Sequence, residues 1–153
     1  MTVLDHRIPP PLLALVIALL MWLSTRWLPD GGLPPLLRNG AALLLLVAGV
    51  SFSLPAVRSF RRAGTTVNPV RIENASELVT GGMYAISRNP MYVGVTLVLC
   101  AVAFLLGNLW TLAGPIAFVA YITRFQIIPE EKLLTAKFGE TYREYCRRVR
   151  RWL

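Results

Sequence analysis

The sequence predicts an all-α membrane protein with about four transmembrane helices, and two observations carry that prediction. Apolar residues make up 55% of the 153-residue chain and charged residues only 16%, with a mean hydropathy of +0.54. Charges are also absent from three windows, residues 8–25, 39–57 and 89–123. The first two windows match the roughly 20 residues that a helix needs to cross a hydrocarbon core. We therefore treat 1–153 as a single integral-membrane domain.

The first two spans follow directly from the first two windows. Span one is predicted over about 11–28 and span two over about 36–56, joined by a short Pro/Gly-rich connector that suits a turn between antiparallel helices. Small residues in span two, such as Ala42 and Gly49, permit close helix packing in lipid. Pro55 is expected to kink or end span two.

The third window is too long for one crossing and predicts a tight helical hairpin. Gly107-Asn108 is a turn signal near its middle. It divides the window into span three, about 92–106, and span four, about 109–128. Pro129 is expected to end span four. The open end of the hairpin would then bring residues 89–92 close to residues 124–131.

A cytoplasmic loop over 58–90 and a cytoplasmic tail over 130–153 complete the predicted domain. In the tail, apolar and aromatic residues recur at helical spacing and share one face: Phe138, Tyr142, Tyr145, Val149 and Trp152. Arginines line another face: Arg143, Arg147, Arg150 and Arg151. This pattern predicts an amphipathic helix that lies on an anionic membrane surface or packs its aromatic face on the protein. Gly139 is expected to separate it from a short preceding helix.

The distribution of Lys and Arg predicts the orientation. With four spans, the N-terminus, the loop and the tail share one side, which holds all the basic residues except Arg26 and Arg38. Both termini are therefore expected in the cytoplasm, and the compartment is predicted to be a bacterial inner membrane. The net charge of +8 is explained by this topology and by anionic lipid head groups at the tail. We expect no nucleic-acid binding.

Two polar clusters fall on that same side, and the residues alone leave their chemistry open. The clusters are 80–84 with 87–94, and Arg124 with Gln126, Glu130 and Glu131. Adjacent carboxylates at a membrane boundary are costly unless they are paired or bound to a ligand. In a purely structural interpretation, the two glutamates cap the tail helix and pair with Arg88 or Arg124. The two cysteines and the single histidine form no pattern that indicates a metal site.

Two runs carry a resemblance to a known family, LVTGGMYAISRNPMYVG at 78–94 and EEKLLTAKFGETYREYCRRV at 130–149. In order and spacing they resemble the isoprenylcysteine carboxyl methyltransferase and phospholipid methyltransferase superfamily, over roughly the C-terminal half of the chain. The resemblance implies a small integral-membrane enzyme that uses S-adenosylmethionine and leaves S-adenosylhomocysteine. It also implies a cytoplasm-facing cofactor pocket and a lipid or lipid-modified substrate that enters from the bilayer.

The resemblance further assigns residues to this site. The implied cofactor-binding residues are Glu77, Leu78, Val79, Tyr84, Asn89, Pro90, Met91, Tyr92 and Glu130. The candidate catalytic residues are Glu131, Tyr92, Arg124 and Gln126. Glu130 would accept hydrogen bonds from the cofactor, and Glu131 would help to fix that carboxylate. If the acceptor arrives protonated, Glu131 or Tyr92 would serve as the base.

Two departures from the isoprenylcysteine branch leave the methyl acceptor open. That branch has His where this chain has Asn89, which cannot become cationic, whereas the phospholipid branch has Asn there. It also has a substrate-contacting Arg where this chain has Gln126. The acceptor is therefore a carboxylate, an amine or another lipid group, and the sequence predicts no oligomeric state.

Two other functions stay open beside the methyltransferase. A membrane reductase of related architecture would bind a nicotinamide cofactor at a similar place. A non-catalytic membrane scaffold would use its tail arginines only to bind anionic lipid. Thr65, Thr66 and Asn68 either line the cofactor pocket or make turns.

Overall fold

The computed structural model describes residues 8–27, 31–62 and 78–153. Within these ranges the chain forms five α-helices: α1 Pro10–Ser24, α2 Pro35–Arg62, α3 Pro90–Leu106, α4 Ala113–Ile122 and α5 Ile128–Arg148. Two 3-10 turns, Gly82–Ala85 and Leu109–Leu112, precede α3 and α4, and a π-helical turn at Thr123–Ile127 joins α4 to α5. No strand occurs in the described ranges, which confirms the predicted all-α class.

The outer surface of the helices is apolar enough to face lipid. Two helical stretches among the described residues are long and apolar enough to cross a membrane, Pro35–Ser59 with 25 residues and Leu109–Arg148 with 40. α1 and α3 are apolar but shorter, with 15 and 17 residues. Leu15, Leu44 and Ile116 are 67%, 73% and 69% exposed. So broad an exposed apolar surface marks contact with a membrane. The count of four crossings and the orientation stay predictions.

α2 and α3 pack closely because glycines meet at their crossing. A Cβ atom added at Gly94 would lie 2.5 Å from the Gly49 carbonyl oxygen and closer still to the Ser53 hydroxyl. A Cβ atom at Gly49 would lie 2.7 Å from the Gly94 carbonyl oxygen. Only a hydrogen side chain fits at either position, as the small residues of span two predict. The crossing at Gly94, two residues after Tyr92, fixes the position of α3 along its axis relative to α2.

Two apolar clusters hold the remaining helices. The larger lies between α1, α3 and α4 and contains Ile17, Met21, Tyr92, Leu99, Ala103, Phe118, Ile122 and Ile127. The smaller joins α5 to the segment before α3 and contains Tyr142, Tyr145 and Val149, with Leu78 and Phe138 packed against them. The aromatic face of the tail is thus buried on the protein, one of the two arrangements predicted for it.

The turn at the closed end of the hairpin lies where the sequence predicts it. Gly107 ends α3 in the left-handed region with a φ of 69°, which glycine adopts without strain. The Asn108 side chain accepts a 2.9 Å hydrogen bond from the Trp110 amide. Gly139 also interrupts α5 with a φ of 53°, as predicted.

Two predicted helix ends are wrong. α1 ends at Ser24 rather than near residue 28. α2 does not end at Pro55 but continues to Arg62, so of the two outcomes expected at Pro55 the kink stays a prediction. Helical structure also continues through Pro129 into α5. A proline ring normally clashes with the carbonyl four residues earlier. The wider π-helical turn just before Pro129 displaces those carbonyls, so the helix accommodates the ring.

Candidate functional site

The candidate site lies at the open end of the hairpin, where three segments meet. These are residues 84–92 leading into α3, the first turn of α5, and residues 149–153 after α5. Pro90 is the first residue of α3, a position where a missing backbone N–H costs no hydrogen bond. The side chains of residues 88–92 are thus presented at a helix N-terminus beside the acidic start of α5.

Glu130 meets Tyr92 across the mouth of the hairpin. The Tyr92 hydroxyl donates a 3.1 Å hydrogen bond to Glu130 Oε1, which confirms the predicted proximity of residues 89–92 to residues 124–131. The pKa of Glu130 is raised to about 7, and burial is the largest cause. The Tyr92 hydrogen bond lowers this pKa, and the charge of Glu131 raises it further. The carboxyl group therefore changes charge near neutral pH.

The adjacent Glu131 has a different environment, because two arginines hold its carboxylate. Arg88 Nη1 lies 3.0 Å from Glu131 Oε1. Arg151 donates from Nε to Oε1 at 3.0 Å and from Nη2 to Oε2 at 2.7 Å, a bidentate pair. The side chains of Arg88, Glu131 and Arg151 are 15%, 17% and 38% exposed, so water only partly screens this cluster. The hydrogen bond to Glu131 raises the pKa of Arg151.

Arg88 and Asn89 attach the start of α3 to residues 150 and 151. The Arg88 amide donates to the Arg150 carbonyl at 2.9 Å, and the Asn89 side-chain amide donates to the Arg151 carbonyl at 2.9 Å. The buried Ser87 hydroxyl accepts from the Asn89 amide at 3.1 Å. Arg88 Nη1 also donates to Cys146 Sγ at 2.7 Å. The predicted cofactor residue Asn89 thus uses its amide nitrogen to hold the protein's own backbone.

The remaining predicted cofactor residues line the same region. Tyr84 is buried, and its backbone carbonyl accepts a 2.7 Å hydrogen bond from the Tyr145 hydroxyl. Burial raises the pKa of the Tyr84 hydroxyl. Leu78 packs against the tail cluster, and Val79 and Met91 are half-buried. Glu77, together with Thr65, Thr66 and Asn68, lies outside the described residues.

The prediction groups Gln126 and Arg124 with Glu130, but the structure gives these two side chains other contacts. The Gln126 side chain is buried in the π-helical turn and donates from Nε2 to the Ile8 carbonyl at 3.0 Å. Its Oε1 atom is buried and has no partner among the described residues. Arg124 is exposed, with its guanidinium 5.6 Å from the centroid of the Phe125 ring. Of the two glutamates, Glu131 is paired with Arg88 and Arg151, whereas Glu130 accepts from Tyr92.

Sequence reasoning missed Arg151 as a member of the site. The helical repeat of the tail places it with the other arginines on the face assigned to lipid. α5 ends at Arg148, however, and Val149 is extended, with φ −122° and ψ 131°. The helical repeat therefore does not apply beyond residue 148. Val149 at the end of the regular pattern was the available signal, because a β-branched residue favours an extended backbone.

Comparisons with known proteins agree with the resemblance. The family model described as phospholipid methyltransferase matches residues 37–141. An uncharacterized protein of Haemophilus influenzae is 46% identical over 63 residues, which are 41% of this chain and 100% of that protein. Protein-S-isoprenylcysteine O-methyltransferase B of Arabidopsis thaliana is 32% identical over 113 residues, which are 70% of this chain and 54% of that enzyme.

These matches cover the molecule to different extents. The chain spans about half the length of the Arabidopsis enzyme. No solved structure matches it. The family match includes Arg88, Tyr92, Glu130 and Glu131 and ends before Arg151.

Proposed function

The chain belongs to the phospholipid methyltransferase family, and from this premise we propose that it transfers a methyl group from S-adenosylmethionine to a lipid or lipid-like acceptor in a membrane. The observation that carries the proposal is the contact between Tyr92 and Glu130. It places a carboxylate and an aromatic side chain together at the open end of the hairpin. Both residues lie inside the matched range, next to helices with apolar outer surfaces.

The groups at this end of the hairpin fit S-adenosylmethionine. Glu130 would accept hydrogen bonds from the amine or the ribose hydroxyls, and its charge suits the nearby sulfonium. The faces of Tyr84 and Tyr92 add cation–π attraction for the same cation. Leu78 and Val79 supply an apolar wall for the adenine ring. We propose this set as the core of the cofactor site.

The backbone around the start of α3 would form the next edge of that site. Asn89, Pro90 and Met91 keep the cofactor role that the resemblance implies, and Glu77 stays proposed for the opposite edge. Arg88 Nε is buried and has no partner among the described residues. A bound ligand can use that N–H group.

Bound by these residues, S-adenosylmethionine would supply an electrophilic methyl group, whose transfer would break the sulfur–carbon bond and form the acceptor–carbon bond while the sulfur kept the bonding electron pair. The protein's task is to align the acceptor with that bond and to exclude water. If the acceptor is an ammonium, it must first lose a proton. We propose that the Tyr92–Glu130 pair accepts that proton, since a carboxyl with a pKa of about 7 is suited to proton transfer near neutral pH.

Glu131 is less suited to act as the base than the sequence suggests. Two guanidinium groups hold its carboxylate, so its oxygens are already occupied by Arg88 and Arg151. We propose that Glu131 positions the first turn of α5. Gln126 stays a candidate for acceptor binding through its unpaired Oε1 atom, and Arg124 stays a candidate at the exposed edge.

The acceptor would reach the site from the bilayer, and the site would face the cytoplasm. The exposed leucines and valines of α1 and α2 define a surface for the acyl or prenyl chains of the lipid. Arg143 and Arg147 are exposed on α5 and suit anionic head groups of the cytoplasmic leaflet. We propose the inner membrane of a bacterium as the location.

Calorimetry on the purified protein in detergent tests the cofactor assignment. We expect S-adenosylhomocysteine to bind and a reduced nicotinamide dinucleotide not to bind. The reverse result would establish the reductase alternative, and binding of neither would favour the scaffold. Incubation with methyl-labelled S-adenosylmethionine and a total lipid extract, followed by identification of the labelled lipid, then gives the acceptor class.

A further inference from the structure

Residues 149–153, which we call the strap, leave α5 and cross the start of α3. Val149 is extended, and its side chain packs with Tyr142 and Tyr145. The carbonyl groups of Arg150 and Arg151 accept hydrogen bonds from Arg88 and Asn89. These two bonds join segments about 60 residues apart in the chain. The strap is thus a third wall of the open end of the hairpin.

Two side chains hold the strap in this position. Trp152 packs against the larger apolar cluster, the one that contains Tyr92. Arg151 forms the bidentate pair with Glu131, the residue next to Glu130. The strap therefore contacts the residue next to Glu130 and the apolar cluster to which Tyr92 belongs.

Arg151 compensates the charge of a partly buried carboxylate. Glu131 is largely buried between Arg88 and Arg151. A half-buried carboxylate that loses one of two cationic partners is under-compensated and moves toward water or toward another cation. Since Glu130 precedes it in the same helical turn, such a movement would also displace the Glu130 carboxyl from Tyr92.

We propose that Arg151 is a positioning residue of the cofactor site, holding the strap on α3 and the first turn of α5 in place through its pair with Glu131. The inference rests on the proposed function, because the cofactor is the ligand that Glu130 would bind. It adds a residue that lies outside the range matched by the family model. It also assigns the Arg88–Glu131–Arg151 cluster a role in ligand binding.

Arg150 provides a matched control for this proposal. It is the neighbour of Arg151, carries the same charge and is exposed. Its backbone carbonyl makes the contact to α3, and a substitution leaves that carbonyl in place. Arg150→Gln and Arg151→Gln therefore remove the same charge from the same segment, and only the second removes the pair with Glu131.

The test compares the affinity for S-adenosylhomocysteine of the full chain, Arg151→Gln, Arg151→Lys and Arg150→Gln by calorimetry in detergent. We expect about a tenfold loss for Arg151→Gln, the size of a typical coupling between adjacent groups. The lysine variant should recover part of it, since it restores the charge without the bidentate geometry. Arg150→Gln should bind like the unchanged protein.

Amide hydrogen exchange at Arg88 gives a second measurement that needs no cofactor. The Arg88 amide donates to the Arg150 carbonyl, so its exchange should be faster in Arg151→Gln and unchanged in Arg150→Gln. Equal affinity and equal exchange in the two glutamine variants would overturn the proposal. If the unchanged protein binds no S-adenosylhomocysteine, the proposed function and the cofactor part of this inference fall together. The exchange comparison then still decides whether Arg151 holds the strap.

Discussion

The two ends of the α3–α4 hairpin satisfy their polar groups in different ways. At the closed end the side-chain partners are local: Asn108 accepts from Trp110, and the Thr111 hydroxyl donates to the Ala103 carbonyl eight residues earlier. One distant backbone bond also reaches this end, since the Gly31 amide donates to the Gly107 carbonyl at 2.9 Å. At the open end the partners are distant: Tyr92 donates to Glu130 across 38 residues, and Asn89 donates to Arg151 across 62. One end is a turn, and the other is a junction of three segments.

This difference separates stability from ligand binding. Local bonds at the closed end fix the turn, and the described residues around it, 31–34 and 104–112, include no carboxylate. At the open end, a carboxyl group of raised pKa lies beside one whose charge is fully paired. Groups that titrate near neutral pH in a cleft are typical of functional sites. Substitutions at the open end should therefore change ligand binding, and substitutions at the closed end should change stability.

Glu130→Gln is the substitution with the largest expected effect. We expect it to weaken S-adenosylhomocysteine binding about 10- to 150-fold, since a hydrogen bond to a charged group contributes about 1.5–3 kcal/mol. Calorimetry measures this loss. The thermal midpoint at pH 8 should not fall, because burial disfavours the ionised Glu130 that the substitution removes.

Glu140→Gln is the control for that prediction. Glu140 is an exposed glutamate of the same helix and pairs with Arg143 and Arg147. The same chemical change there should leave the affinity unchanged. Equal affinity in Glu130→Gln and the unchanged protein would contradict the assignment of Glu130 and favour the capping interpretation of the acidic pair.

The pH dependence of binding is the next largest effect. The pKa of Glu130 is raised to about 7 in the folded protein, and the sulfonium cation of S-adenosylmethionine favours the ionised form. Binding of S-adenosylmethionine should therefore release a proton and strengthen as the pH rises through 7, with affinity about tenfold lower at pH 6 than at pH 8. Calorimetry with S-adenosylmethionine from pH 5.5 to 8 measures this profile.

Tyr92→Phe sharpens the same experiment. The Tyr92 hydrogen bond lowers the pKa of Glu130, so its loss should move the profile to higher pH. In Glu130→Gln the profile should be flat over this range. A pH dependence that survives in Glu130→Gln would show that another group controls binding.

The same contrast explains which features the sequence could predict. The all-α class, the turn at Gly107 and the break at Gly139 follow from local composition and backbone preference. The approach of Tyr92 to Glu130 follows from closing the hairpin at that turn. The role of Arg151 does not follow, because it depends on where the chain goes after Arg148. The prediction that Pro129 ends span four is wrong for a related reason. The π-helical turn that accommodates this proline cannot be recognised from the spacing of apolar residues in the sequence.

Asn108→Ala, at the closed end, is the smallest expected effect on binding and completes the comparison. The substitution removes the side-chain oxygen that accepts from the Trp110 amide, and loss of such a cap costs about 0.5–2 kcal/mol of stability. We expect a lower thermal midpoint in detergent and an unchanged affinity for S-adenosylhomocysteine. If Asn108→Ala weakens binding as much as Glu130→Gln, the two ends are coupled through α3. The separation of stability from ligand binding would then be wrong.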